Sequence, residues 1–130
     1  MNMSRILDSY HVTRNFTYGE FKCPHCGANR TSTILIDKLQ EARDYSNRVG
    51  SGITYRINSG FRCPTHNAAV GGASGSAHMD GLAADIHIAG DHHRMCLIYG
   101  LVMAGFTRIG DYRSWFHVDL KDSGITMWRE

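Results

Sequence analysis

One amphipathic helix, followed by several short strand-like segments, is the feature that most limits what this chain can fold into. Between residues 32 and 48, mostly apolar residues recur every three to four positions, which is the spacing of one buried face of a helix. Ser32 or Thr33 can cap its start, and Gly50 and Gly52 end it. The positions on the predicted buried face are Ile34, Leu35, Lys38, Leu39, Ala42 and Tyr45.

The other patterned segments are shorter, and most of them predict strands. Alternation with a period of two and short apolar runs between turn residues are typical of strands. We expect strands over residues 53–58, 84–88, 106–109 and 115–120, with a turn through 110–114. A second helix over 92–104, capped by Asp91, and a short helical turn over 63–71 complete the prediction, with 71–77 as a flexible loop. The predicted fold class is α+β, a small and mostly antiparallel sheet with helices packed on one side.

The length and composition fit one domain over residues 1–130. A chain of 130 residues that is 42% hydrophobic and 20% charged can bury a core without disulfides or metals. Residues 1–18 carry little periodicity, and we expect them to form a loosely ordered N-terminal arm. Nothing in the sequence indicates oligomerisation, so we expect a monomer.

Charge and hydropathy exclude two classes of partner. The formal net charge is only +2, with no basic run interleaved with aromatic residues, so nucleic-acid binding is not expected. No apolar stretch approaches the roughly 20 residues that cross a bilayer, so membrane insertion is not expected. The N-terminal residues lack the pattern of a signal peptide, which predicts synthesis in the cytoplasm and exit by a separate route.

The segment from Ser76 to Asp85 carries the clearest chemistry. His78 and Asp85 lie seven residues apart, separated by small residues and Gly81, so a turn between them can bring an imidazole and a carboxylate onto one metal ion. A catalytic zinc site takes three protein ligands and keeps one position open. His117, on a short apolar strand, is the candidate for the third ligand.

The remaining histidines have a more ordinary interpretation. A chain with eight histidines places some of them near carboxylates by chance, and we interpret His11, His92 and His93 as surface or hydrogen-bonded side chains. His87 is harder to dismiss, because in a strand it shares a face with Asp85.

Several motifs in the same order resemble one known family. The pattern SxHxxGxAxD from Ser76 to Asp85, followed about 30 residues later by HxD, resembles the M15 family of zinc D-Ala-D-Ala peptidases, especially the short forms found among phage endolysins. FKCPHCG at 21–27, INSGFR at 57–62 and HNAAVGG at 66–72 extend the likeness over roughly residues 16–120.

The resemblance implies roles for individual residues. His78, Asp85 and His117 match the three zinc ligands of the family, Arg62 matches an arginine that holds a substrate carboxylate or carbonyl, and Ser76 matches a position near the substrate. The implied cofactor is zinc, and the implied substrate is the stem peptide of bacterial peptidoglycan, cleaved as a D,D- or L,D-carboxypeptidase or endopeptidase does.

The proton carrier is where the sequence departs from the family. Many members place a Glu or Asp three residues before the last histidine, where this chain has Ser114. Asp119 shares a strand face with His117, and Asp111 lies in the predicted preceding turn, so these two are the candidate catalytic carboxylates. Asp119 has a second interpretation, as the residue that orients a zinc-bound imidazole.

Ser114 also keeps open an alternative function, a zinc-binding domain of the same fold that binds cell-wall peptide or a protein partner without cleaving it. A third interpretation, a redox or zinc-ribbon module built on Cys23 and Cys26, leaves the second half of the chain unexplained.

Two similar motifs, CPHC and CPTH, predict a second, structural zinc bound by Cys23, Cys26, Cys63 and His66. A Cys23–Cys26 or Cys23–Cys63 disulfide and free thiols are the alternatives, and Cys96 is expected to be an ordinary buried thiol.

Overall fold

The computed structural model describes residues 3–130 and confirms the α+β class. Within these described residues, four α-helices are present, which we name α1 (Met3–Ser9), α2 (Thr33–Val49), α3 (Pro64–Ala69) and α4 (Gly90–Met103). Over the same range, five strands form one sheet, and we name them β1 (Ile57–Ser59), β2 (Ala83–His87), β3 (Arg108–Asp111), β4 (Trp115–Asp119) and β5 (Thr126–Arg129). Two 3-10 helices, Tyr18–Phe21 and Ala77–Asp80, join these elements.

The sheet has the order β1-β2-β4-β3-β5 and is mostly antiparallel. Its exception is β5, which pairs parallel with β3 at one edge and is not predicted by the sequence. The sequence prediction for β1 was too long, because only Ile57–Ser59 of the expected strand over 53–58 pairs with a neighbour. The strand expected over 106–109 lies instead at Arg108–Asp111, which extends it into the residues expected to form a turn.

Helix α2 forms close to where its sequence pattern predicts. The Ser32 hydroxyl accepts a hydrogen bond of 3.2 Å from the Ile34 N–H, and Gly50 ends the helix. Its buried side includes Leu35, Ile36 and Leu39. Ile34, expected on that side, is instead 65% exposed. The core therefore lies against a slightly different face of the helix from the one predicted.

Helix α4 packs closely against α2 because it carries a glycine at the crossing. A Cβ at Gly100 would lie 2.1 Å from the Ser46 Oγ and 2.2 Å from the Ala42 carbonyl oxygen. The buried Ser46 hydroxyl donates to the Cys96 carbonyl at 2.6 Å and lies 2.8 Å from the Tyr55 hydroxyl. Cys96 itself is buried, as the sequence indicates.

The sheet separates core residues from polar residues by alternation. On one face, Ala84, Ile86, Ile109, Phe116 and Val118 join the core formed by α2 and α4. Side chains of neighbouring strand residues point to opposite faces. Asp85, His117 and Asp119 therefore project from the other face, which is the face that carries the site described below.

The N-terminal stretch differs from the loosely ordered arm that the sequence predicts. Phe16 is fully buried in the core, and the N–H of Asn15 donates to the Gln40 side chain of α2 at 2.8 Å. These contacts join residues 15 and 16 to the core and to α2. In the part of the chain that the structure describes, no helix has the length and apolarity to cross a membrane.

Candidate metal centre

A tight turn places the first two candidate ligands. The Ser76 hydroxyl accepts from the His78 N–H at 3.2 Å and caps the 3-10 helix Ala77–Asp80. Gly81 then takes a left-handed conformation with φ of 71°, and a Cβ there would lie 1.9 Å from the Arg30 carbonyl oxygen. Glycine at this position therefore lets the chain reverse from His78 into β2 and Asp85.

Strand register brings in the third ligand. Asp85 on β2 lies directly opposite His117 on the antiparallel strand β4. One ligand atom from each of His78, Asp85 and His117 lies within 4.8 Å of the others. The His78 Nε2 and the His117 Nδ1 lie 3.2 Å and 3.1 Å from the Asp85 Oδ1. The structure thus brings together the three residues that the sequence predicts.

Hydrogen bonds on the far side of each imidazole fix which nitrogen faces the centre. The His78 Nδ1 lies 2.7 Å from the Gly60 carbonyl oxygen, which can only accept, so Nδ1 carries the proton and Nε2 is free to bind a metal. The His117 Nε2 lies 2.8 Å from the Asp119 Oδ2, which leaves Nδ1 as the ligand atom. Metal-binding histidines usually have such a partner on the other nitrogen.

The contacts within the cluster shift the pKa values of two of its members. Burial raises the pKa of Asp85, but its contacts with the His117 and His78 rings outweigh burial and lower that pKa to about 2. Burial lowers the pKa of His117, whereas hydrogen bonds to Asp119 and Asp85 raise it, and the net direction is upward. Two nitrogens and one carboxylate oxygen around a shared point form a donor set that suits zinc.

Asp119 orients His117 and has no oxygen left over. Its Oδ2 bonds the His117 Nε2, while its Oδ1 accepts from the Arg108 Nε at 2.7 Å and from the Lys121 N–H at 3.0 Å. Burial raises the pKa of Asp119, but the hydrogen bonds from His117 and Arg108 lower it to about 2. This geometry matches the second interpretation of Asp119, an orienting residue, better than that of a proton carrier.

The structure places Asp111 away from the centre. Because β3 extends through Asp111, this side chain shares the core face of the sheet with Ile109. Its Oδ1 accepts from the Arg94 Nη1 of α4 at 2.7 Å. The sequence predicts Asp111 as a candidate catalytic carboxylate because a turn is expected there, and the structure corrects that expectation by placing Asp111 in β3.

Arg62 reaches the cluster from the segment after β1. Its Nη2 lies 3.1 Å from the Asp85 Oδ2, its Nε donates to the Ser59 Oγ at 3.0 Å, and its Nη1 donates to the Asn67 Oδ1 at 3.3 Å. A guanidinium has five N–H groups, so two remain for a substrate. Ser76 also lines the same cleft, next to the residues that would hold a metal.

A cleft of about 330 Å³ lies over the metal ligands. Aromatic side chains form one wall, which sequence reasoning missed. The Tyr112 and Trp115 rings stack with centroids 5.1 Å apart, and the Trp128 Nε1 donates to the Tyr112 Oη at 2.9 Å. Trp115 lies two residues before His117 on β4 and therefore shares its face of the sheet, so strand alternation could have predicted that Trp115 lies beside the site. Trp128 comes from β5, for which the sequence gives no comparable signal.

The cysteines form a separate cluster. The sulfurs of Cys23, Cys26 and Cys63 lie within 4.8 Å of one another, and all three thiols are free. His66, predicted as the fourth member, is not part of that group. Among the other histidines, His93 bonds the Thr54 carbonyl oxygen and the Ala89 N–H through its two ring nitrogens, as expected for a hydrogen-bonded side chain.

Comparison with protein families agrees with this arrangement. The family model described as Peptidase M15 matches residues 14–119, which include all three candidate metal ligands and Arg62. A search of curated proteins gave no match. The match covers well over half of the chain and ends at Asp119, beside the last ligand, so this chain belongs to the peptidase M15 family.

Proposed function

We propose that this protein is a zinc metallopeptidase that hydrolyses peptide bonds in the stem peptides of bacterial peptidoglycan. The observation that carries the proposal is the convergence of His78, Asp85 and His117 at the floor of an open cleft, with both imidazoles already oriented by partners on their far sides. Membership in the peptidase M15 family supports the same reaction class. A bound zinc supplies Lewis acidity towards a peptide carbonyl and towards water.

The residues around the cleft indicate how a substrate is held. Arg62 is the cation nearest the ligand cluster, and its side chain is only 14% exposed. A planar guanidinium with two free N–H groups suits a carboxylate or a peptide carbonyl. Arg108 and Lys121 add positive charge along the cleft lining, which favours a peptide that carries carboxylates. Stem peptides meet that description.

In the described part of the chain, the cleft offers candidate groups to hold a substrate, but its carboxylates are already engaged and none is free to carry a proton. Among the described residues that line the cleft, the carboxylates are Asp85 and Asp119. The first belongs to the metal-binding set, and the second is engaged by His117 and Arg108. Ser114 occupies the position of the usual acidic residue, and its N–H donates to the Tyr112 carbonyl oxygen.

This shortage of a free carboxylate favours a second candidate function. A domain with the same metal ligands and the same arginine can bind a wall peptide without cleaving it. We place this candidate second, because a peptidase needs metal-binding residues, partners that orient them and a cation that holds the substrate, and this chain has a candidate for each. An endolysin-like role, in which the protein acts on the wall after release from the cell, belongs to the same proposal and rests on the resemblance described above.

The test is incubation of the zinc-loaded protein with purified peptidoglycan. Cleavage produces new amino groups, and mass spectrometry of the released muropeptides identifies the bond and distinguishes carboxypeptidase from endopeptidase activity. His117→Ala, treated in the same way, is the matched control. Binding of the zinc-loaded protein to peptidoglycan without new amino groups would support the second candidate, and neither binding nor cleavage would contradict both.

A further inference from the structure

The region between residues 21 and 28 forms a compact loop around Cys23. The Cys23 N–H donates to the Ala28 carbonyl oxygen at 2.8 Å, and the Gly27 N–H donates to the Cys23 carbonyl oxygen at 2.8 Å. Gly27 has a φ of 75°, which only glycine adopts readily. This is a reverse turn that presents the thiols of Cys23 and Cys26 on the same side.

A backbone N–H group from a distant segment contacts the buried sulfur of Cys23. The Cys63 N–H donates to the Cys23 Sγ at 3.5 Å. An N–H donor aimed at a buried sulfur favours the thiolate, which is the form of cysteine that binds metal. A buried sulfur used only for packing needs no such donors.

Cys63, in the segment between β1 and α3, supplies the third thiol of the group. Its Sγ lies within 4.8 Å of the sulfurs of Cys23 and Cys26 and accepts the His66 N–H at 3.4 Å. Backbone pairing holds the two segments together, because the Phe61 N–H donates to the Phe21 carbonyl oxygen at 2.8 Å. Three thiols from two segments therefore meet at a fixed separation.

His25 contacts one sulfur of this group, although neither His25 nor His66, the histidine that the sequence predicts, lies within 4.8 Å of all three sulfurs. The His25 Nδ1 is 3.6 Å from the Cys63 Sγ. In a tetrahedral zinc site with Zn–S near 2.3 Å and Zn–N near 2.0 Å, sulfur and nitrogen ligands are separated by about 3.5 Å. The His66 ring instead stacks on the His25 ring, with centroids 6.5 Å apart.

We propose that Cys23, Cys26, Cys63 and His25 hold a second, structural zinc ion, distinct from the one at the sheet. Three soft thiolates and one imidazole form a closed donor set that selects zinc over harder cations. Such an ion ties the 21–28 turn to the segment that begins at Gly60. Arg62 precedes Cys63 directly, so the ion fixes the backbone that carries the guanidinium towards Asp85.

The test counts metal ions and identifies their ligands, and it does not depend on peptidase activity. Protein purified under reducing conditions should contain two zinc ions per chain, whereas Cys63→Ser and His117→Ala should each contain one. Replacement of zinc by Co²⁺ should give a thiolate-to-cobalt charge-transfer band that persists in His117→Ala and disappears in Cys63→Ser. One zinc per chain in the unmodified protein, or no such band, would overturn the proposal even if peptidoglycan is cleaved.

A matched pair of histidine variants tests the fourth ligand. His25→Ala should lose zinc from the thiolate site to a chelator at least about tenfold faster than the unmodified protein, a change of roughly 1.4 kcal/mol in barrier. His66→Ala should retain it at the unmodified rate. The opposite result, with loss in His66→Ala and retention in His25→Ala, would overturn the assignment of His25. A disulfide between any two of the three cysteines in the freshly purified, unreduced protein, with no second zinc, would overturn the site as a whole.

Discussion

Asp111 and Asp119 are both buried carboxylates on neighbouring strands, and each is paired with an arginine, yet they lie on opposite faces of one sheet. Asp119 is 3% exposed and contacts Arg108 and His117, beside the candidate metal ligands. Asp111 is 5% exposed and contacts Arg94 of α4 on the core side. Burial and an arginine partner are therefore shared by a residue of the site and a residue of the scaffold.

The difference between the two is the partner beyond the arginine. Asp119 also accepts from an imidazole whose other nitrogen faces the metal position, so its charge acts on the ligand. Asp111 also accepts from the Arg113 N–H, so its charge fixes a turn. Strand register therefore decides whether a buried carboxylate close in sequence to a candidate metal-binding histidine belongs to the site or to the scaffold, and variants on each face can test this.

The largest loss of activity is expected from replacing His117, the candidate ligand on β4 that lies opposite Asp85 on β2. His117→Ala removes one of three ligands, and activity on peptidoglycan should fall by about 1,000-fold or more, since metal assistance contributes several kcal/mol. The fold should remain, because His117 projects away from the core formed by Phe116 and Val118. Zinc content and amino-group release measure the two parts of this result. His87→Ala, on the same face of β2 as Asp85, is the control and should keep both.

Asp119→Asn should have the next largest effect on metal affinity. An amide keeps the shape but loses the charge that orients the His117 ring, and such changes typically cost about 10- to 100-fold in metal affinity or activity. Competition with a chromogenic chelator measures this change. Asp119→Asn with unchanged zinc affinity and a large loss of turnover would instead restore Asp119 as a proton carrier.

Arg62→Lys should impair substrate binding while keeping one positive charge. Lysine cannot form the planar fork that contacts Ser59, Asn67 and Asp85 together, and a charge-assisted hydrogen bond contributes about 1.5–3 kcal/mol. We expect kcat/KM to fall by about 10- to 100-fold, with zinc retained. Unchanged kinetics in this variant would show that the substrate is held elsewhere.

Asp111→Asn should change stability and leave the site intact. Losing its pairing with Arg94 should lower the free energy of unfolding by about 1–2 kcal/mol, with zinc affinity and activity unchanged. Burial raises the pKa of Asp111, but the hydrogen bond from Arg94 outweighs it and lowers that pKa below the ordinary value. The unmodified protein should therefore lose this contribution as the pH falls below about 4, whereas Asp111→Asn should not. Chemical denaturation at several pH values measures the difference, and reduced zinc affinity in this variant would contradict the separation of the two faces.

The sequence anticipates the positions of the candidate site residues best where short-range sequence order determines them. His78 and Asp85 are joined by a turn that needs only Gly81 and a capping serine, so their spacing predicts their meeting. Alternation along β4 likewise places Asp119 beside His117. Asp111 was misplaced because two additional residue pairs at the end of β3, those of Gly110 and Asp111, move its side chain from a turn to the core face of the sheet.

Features that depend on distant segments were harder to predict. Strand β5 was missed because its residues are largely exposed and pair with β3 from the far side of a loop, so no alternating pattern marks it. The choice between His25 and His66 depends on how two loops approach each other, which repeated CPHC and CPTH motifs do not determine.

Trp128 reaches the cleft over the candidate metal ligands from outside the region that the family model matches. The family match ends at Asp119, while Trp128 lies nine positions further along and packs over Gly110, where a Cβ would lie 2.6 Å from its ring. Its ring is also 5.5 Å from that of His117, between centroids. One wall of the cleft therefore includes a residue from a strand that lies beyond the family match, so the shape of the cleft over the candidate metal ligands depends on residues that the family model does not describe.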